Sequence, residues 1–344
     1  MTPKQRFHAT LDRKPVDRPA TWLGLPVPEA VPALCRHFAA SDLDDLRRKL
    51  DDDVWPVDIP FDKPPFNHLA CAFDFAHSST EGTYTERTLT SPGVFAGTSD
   101  PALVEQFPWP DPKQHLDPAR IRAAFAAVPR DRAVMGVLWS AHFQDACAAF
   151  GMEDALMAMC ERPAMFDAVI ARIIRFYLEA NAIIYDAAGD LMDAVLIGND
   201  FGSQNCLMVS RKHLLRFVFP GTSQLIGQAK ARGLRVIHHS CGAVAPVIGD
   251  LVALGADAIH PIQAKAKGME AETLASAFAG KASFCGGLDA QFLLVQGSAE
   301  AVTARTRELI RLFPTGLVIS PSHEAILQDV PPANLAAMYA AIHG

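Results

Sequence analysis

The chain has 344 residues, half of them hydrophobic, enough to bury a sizeable core in one large domain. Its formal net charge is -7, and Arg47-Arg48-Lys49 is its main basic cluster, which argues against nucleic acid as the principal partner. No run of about 20 apolar residues suggests a membrane span, and the first residues lack the apolar core of a signal peptide, so a cytoplasmic location is the expectation.

Taken in chain order, the first expected strands are residues 20–25 and 53–59. Residues 60–130 break the pattern and read as an insertion. Within it, residues 83–90 alternate like an exposed antiparallel strand, Ser91-Pro92-Gly93 reads as a turn, and a Pro-rich irregular stretch follows. This insertion is also the candidate surface for a homodimer. From residue 133 onward the chain settles into a rhythm. Short runs rich in Val and Ile, at 133–138, 194–197, 235–237, 258–262, 282–285 and 317–320, read as strands buried on both faces. Helices are expected at 163–188, 211–231, 245–254, 270–279, 299–313 and 334–342. In the first of these, Met165, Phe166, Val169, Ile170, Ile173, Ile174, Tyr177 and Leu178 share one face.

Alternating strands and helices imply a parallel sheet with right-handed crossovers. Eight strands are the number that a closed (β/α)8 TIM barrel needs. The chain therefore reads as one barrel domain over residues 1–344 with the insertion inside it. An open doubly wound sheet is the runner-up, but no glycine-rich phosphate loop follows the first strand.

The polar residues collect where strands end: Trp139-Ser140-Ala141-His142, Gly198-Asn199-Asp200, His238-His239-Ser240-Cys241-Gly242, Gln263, Gly286-Gly287-Leu288-Asp289 and Ser320-Pro321-Ser322-His323-Glu324. In a parallel barrel these ends share the C-terminal rim, where active sites lie. Alternation along an extended strand end puts His239 and Cys241 on one side and turns His238 away, into the core. One imidazole and one thiolate suit a metal such as Zn²⁺. His323, Cys285 and Asp200 share the rim as sources of a third ligand, and His323 reads equally as a general acid or as a cap for the loop after the last strand. Asp200 also reads as a partner that orients His239, or as a turn-forming residue. Trp139, Gln204 and Gln263 are candidates for contact with a polar substrate. Gly286 and Gly287 allow close backbone approach to a ligand or a tight turn, and Asp289 reads as a substrate contact or a helix cap. The seven cysteines form no CxxC pair and read mostly as core thiols.

These residues lie in blocks that resemble the uroporphyrinogen decarboxylase superfamily: "MTPKQRFHATLDRKPVDRPA" at the start, "IGNDFGSQ" at 197–204, "HHSCGAVAPVIGDLVALGADAIHPIQ" at 238–263, "FCGGLDAQ" at 284–291 and "SPSHEAILQDVPPANLAAM" at 320–338. The resemblance spans almost the whole chain and implies a (β/α)8 barrel. It is closer to the branch of zinc-containing methyltransferases that work with corrinoid proteins than to the true decarboxylases of haem synthesis. The decarboxylases carry an arginine-rich segment after the first strand, where this chain reads "TWLGLPVPEAVPALCRHF". His239 and Cys241 match the first two zinc ligands of the thiol methyltransferases. In that branch the third ligand is a cysteine after the last strand, where this chain has His323.

The resemblance implies a zinc-dependent methyltransferase with His239, Cys241 and His323 as ligands and catalytic residues, and Cys285 as the alternative third ligand. It would move a methyl group between a corrinoid carried by a partner protein and a small thiol, methoxy or amine substrate. Two other readings stand beside it: a cofactor-free decarboxylase of the same superfamily, and a barrel that binds a corrinoid or another small ligand without catalysis.

Overall fold

The computed structural model describes residues 1–63, 69, 72–73, 75 and 91–344. The expected strand at residues 83–90 lies outside the described residues. Among the described residues ten strands are formed: β1 Ala20–Thr21, β2 Leu25–Pro26, β3 Val54–Asp58, β4 Ala133–Trp139, β5 Ala194–Gly198, β6 Arg235–His239, β7 Ala258–Ile262, β8 Ser283–Leu288, β9 Leu317–Pro321 and β10 Ala325–Ile326. Eight of them pair in parallel in the order β1-β9-β8-β7-β6-β5-β4-β3, with helices between them. The fold is a (β/α)8 barrel, as the strand rhythm implies.

Side chains close the seam between β1 and β3. One ladder bond joins them, from the Asp53 N–H to the Thr21 carbonyl at 3.2 Å. The Asp53 carboxylate accepts the Thr21 N–H at 2.8 Å, and Asp52 accepts the Leu23 N–H at 2.9 Å. Arg6 and Arg18 neutralise Asp53, because a buried charge must be paired.

Inward-facing residues fill the barrel. Trp22, Met135, Val137, Leu196, Ile237 and Val318 are buried there in one cluster, each worth roughly 1.5–3 kcal/mol if fully transferred from water. The helices pack outside. Pro163–Ala188 forms as expected. The expected helix over 211–231 is interrupted by a π-helical turn, Leu214–Val218, whose Val218 carbonyl lies 3.1 Å from Nε2 of the buried His142. At the end of the segment read as insertion, Pro118–Ala126 is a helix that packs on Pro163–Ala188. Asp117 caps it, and it leads into β4 as a regular barrel element. No helix among the described residues is long and apolar enough to cross a membrane.

The strand expected at 20–25 is broken in two. Gly24 has φ +87°, and a Cβ there would come within 2.4 Å of the Glu324 carbonyl. That carbonyl accepts the Leu25 N–H at 2.7 Å, and β2 pairs with β10 outside the barrel. This small second sheet anchors the backbone of Glu324 above the barrel mouth.

Candidate functional site

Parallel register brings the ends of β5, β6 and β7 level: Gly198 stands beside His239, and His239 beside His260. Ile237 and Ala258 face the barrel interior, so two residues further on His239 and His260 also point inward. Gly198 is required there, since a Cβ would come within 2.0 Å of the His239 carbonyl oxygen. His238 points outward, as expected. It is fully buried and stacked at 5.8 Å on Phe201. Burial and the charge on His239 push it down to about 3.

Around His239 the polar groups are dense. Its Nε2 lies 3.2 Å from Oδ1 of Asp200 and 3.4 Å from Sγ of Cys241. Asp200 Oδ1 also accepts the Cys241 N–H at 2.8 Å, and Oδ2 accepts an N–H of Gln144 at 3.0 Å. On the other side of the ring, His239 Nδ1 lies 2.9 Å from His260 Nδ1 and 3.7 Å from Oε2 of Glu324. The Trp139 ring meets His239 edge-on at 5.1 Å. Trp139 and Ser140 are both left-handed, at φ +59° and +51°, a conformation that costs a non-glycine residue about 1–3 kcal/mol and tends to mark functional sites.

The charges follow from these contacts. Burial would depress His239, but the Glu324 charge, the Asp200 hydrogen bond and Cys241 raise it well above an ordinary histidine. Burial would lift Asp200, yet His239 and the Cys241 N–H draw it down to about 2. His260 is driven well below the usual range by burial and by the charges on His239 and His323. His323 is raised, chiefly by hydrogen bonding with Cys241 and then by the Glu324 charge. The site thus sets the His239 imidazole between two acidic side chains, Asp200 and Glu324.

Not every residue expected on the rim joins this group. His323 reaches Cys241 but is not among the donors packed most closely. Its Nδ1 accepts the Ala325 N–H at 3.1 Å and lies 3.6 Å from Glu324. Cys285 is buried inside the barrel, 3.5 Å from the Ser320 hydroxyl, and burial pushes its thiol up to about 12. Gly286 and Gly287 have φ +121° and +102°, and a Cβ on them would meet the Ile262 backbone and the Leu309 side chain. Asp289 accepts three backbone N–H groups from Gln291 to Leu293. Gln204 and Gln263 bond to each other at the lip at 3.3 Å. The sequence reading placed Glu324 on the rim without giving it a role, and it missed His260 and Gln144. The signal for His260 was available: it falls two places after an inward alanine on the strand next to His239.

Among the described residues two sets of three donors have ligand atoms all within 4.8 Å of one another: Asp200, His239 and Cys241, and His239, His260 and Glu324. The first offers one oxygen, one nitrogen and one sulfur, a combination suited to a borderline ion such as Zn²⁺.

A family described as uroporphyrinogen decarboxylase (URO-D) has a sequence model that matches residues 95–344. No curated protein matches the chain. Among solved structures, a methyltransferase from Methanosarcina mazei matches with a TM-score of 0.70 and 15% identity, over 100% of this chain and 98% of that one. At that identity the likeness speaks for the fold.

Proposed function

The chain belongs to the uroporphyrinogen decarboxylase family, and from that premise we propose that it is a zinc-dependent methyltransferase. It moves a methyl group between a corrinoid, carried by a partner protein, and a small thiol, methoxy or amine substrate. The observation that carries this reading is the convergence of Asp200, His239 and Cys241 on one point of the rim. The methyltransferase fold neighbour supports it.

Zinc would be held by His239 and Cys241, with Asp200 or His323 as third ligand and one position open; bound there, it would supply a Lewis acid that activates a thiol or polarises a methoxy or amine group. The chain's own residues do the rest. Asp200 fixes the Cys241 backbone and stands 3.2 Å from Nε2 of His239. His323 borders Cys241 from the loop after β9. Trp139 walls one side of the mouth, and the Gln204–Gln263 pair offers amide donors and acceptors at its lip. The decarboxylase reading requires cations that grip substrate carboxylates. Among the described residues the C-terminal strand ends carry no arginine, and the nearby Lys265 lies 3.8 Å from Asp289.

The test is zinc content and methyl transfer to or from a corrinoid protein, in the wild type and in Cys241→Ala. We expect about one zinc per chain and measurable transfer, both lost in the variant. Retention of both in Cys241→Ala would overturn the proposal, as would turnover of uroporphyrinogen by the wild type.

A further inference from the structure

His260 lies at the floor of the mouth, fully buried. The ring of Trp22 tilts against it, with centroids 5.0 Å apart. Its Nε2 has no hydrogen-bond partner. Its Nδ1 faces His239 Nδ1 at 2.9 Å.

Two explanations compete for that short contact. In the first, an ion sits on the Nδ1 side of His239, held by His239, His260 and Glu324, the second close set of donors. Two nitrogens on one tetrahedral zinc, each at ~2.0–2.1 Å, stand about 3.3 Å apart. The observed 2.9 Å is shorter, and it is the ordinary length of a hydrogen bond from an N–H donor. In the second explanation, a single proton lies between the two nitrogens. The surroundings say which ring owns it. His239 Nδ1 has the Glu324 carboxylate at 3.7 Å, which favours a proton there, whereas His260 makes no ion pair with any carboxylate among the described residues.

We propose that His260 is the positioning residue of the site: its Nδ1 accepts the Nδ1–H of His239 and so leaves Nε2 of His239 as the ring's metal-binding atom, facing Asp200 and Cys241. Glu324 is the counter-charge that keeps the proton on His239. His260 in turn is held in the tautomer with its hydrogen on Nε2. A metal-bound histidine whose other nitrogen donates to a fixed acceptor is a recurring arrangement, and such partners commonly set affinity by about 10–100-fold. The metal-binding clause rests on the zinc reading; the shared proton concerns the protein alone.

The two are tested separately. In metal-free protein labelled with ¹⁵N, we expect a scalar coupling across the hydrogen bond between the two Nδ1 atoms, with the proton bonded to His239. In zinc titrations, His260→Leu removes the acceptor, and the Kd should weaken by about 10–100-fold. His260→Asn, whose amide oxygen can take the place of Nδ1, should recover most of that loss. Three results overturn the proposal: a proton bonded to His260, absence of the coupling, or His260→Leu binding zinc like the wild type. A fourth is zinc retained in Cys241→Ala but lost in Glu324→Gln, which would place the ion on the Nδ1 side. If the wild type binds no zinc, the proposed function falls, and the coupling alone decides the shared proton. Because it is measured on the wild type, it does not depend on any variant folding.

Discussion

Asp200 Oδ1 accepts the backbone N–H of Cys241 at 2.8 Å while lying 3.2 Å from Nε2 of His239. One carboxylate oxygen thus ties the end of β5 to both members of the His-x-Cys pair. The Gln144 amide that donates to its other oxygen has an unpartnered oxygen of its own. In Asp200→Asn that amide can turn over and keep every hydrogen bond, so only the charge beside His239 is lost. We expect Asp200→Asn to unfold in urea close to the wild type but to bind zinc more weakly. Asp200→Ala also leaves the Cys241 N–H unpaired and should lose roughly 1–3 kcal/mol of stability. Equal zinc affinity in wild type and Asp200→Asn would count against a charge role.

The thiols should differ sharply in reactivity. Among the described residues, Cys160 and Cys206 are exposed, Cys241 is half-buried, and Cys35, Cys147 and Cys285 are buried. Burial raises all three buried thiols, and only thiolates alkylate readily. Treatment of the native protein with iodoacetamide, followed by peptide mass spectrometry, should find Cys160, Cys206 and Cys241 modified and the three buried thiols untouched. Added zinc should protect Cys241 alone. Equal labelling of Cys241 with and without zinc would remove it from the metal site.

The strands were legible because burial on both faces demands short runs of Val and Ile, and parallel pairing through the barrel puts their polar ends on one rim. The same logic located His239 and Cys241 and turned His238 away. It failed at Gly24, where a close approach of the Glu324 backbone breaks a run that reads as continuous. It also failed for His260, and it put Glu324 on the rim without showing what it touches. His260 sits inside an apolar strand, so composition hides it. Glu324 reaches His239 only through the β2–β10 pairing, a contact between segments some 300 residues apart that no local pattern encodes. His323 was placed on the rim correctly, but its contact with the Ala325 N–H belongs to a loop conformation that spacing cannot supply.

Gly242 is a point where backbone geometry and site geometry coincide. It has φ +86°, and a Cβ would come within 2.3 Å of the Gly202 backbone. Gly242→Ala must therefore leave the left-handed region and push the loop after β5 away, shifting Cys241. We expect a loss on the order of 1–3 kcal/mol from the conformation alone, more with the clash, and zinc binding weakened beyond what the stability loss implies. Urea denaturation together with a zinc titration checks both. A variant as stable as the wild type would show that the turn accommodates a side chain.

Asp52 gives the fold a pH dependence separate from the site. It is buried at the β1–β3 seam, accepting the Leu23 N–H and, at 2.9 Å, the Tyr339 hydroxyl. Burial outweighs those bonds and lifts it to about 6, from about 3.9 in an unfolded chain. The sign follows directly. Between those values the folded state holds the proton and the unfolded state releases it, so raising the pH favours unfolding. Asp52 should therefore cost progressively more from about pH 4 to 6, reaching roughly 3 kcal/mol above that window. Asp52→Asn keeps an acceptor at the seam and cannot ionise. In urea denaturation between pH 4 and 8, the stability of Asp52→Asn relative to wild type should rise through that window and then level off. A difference that stays flat from pH 4 to 8 would mean that the seam carries Asp52 ionised at no cost.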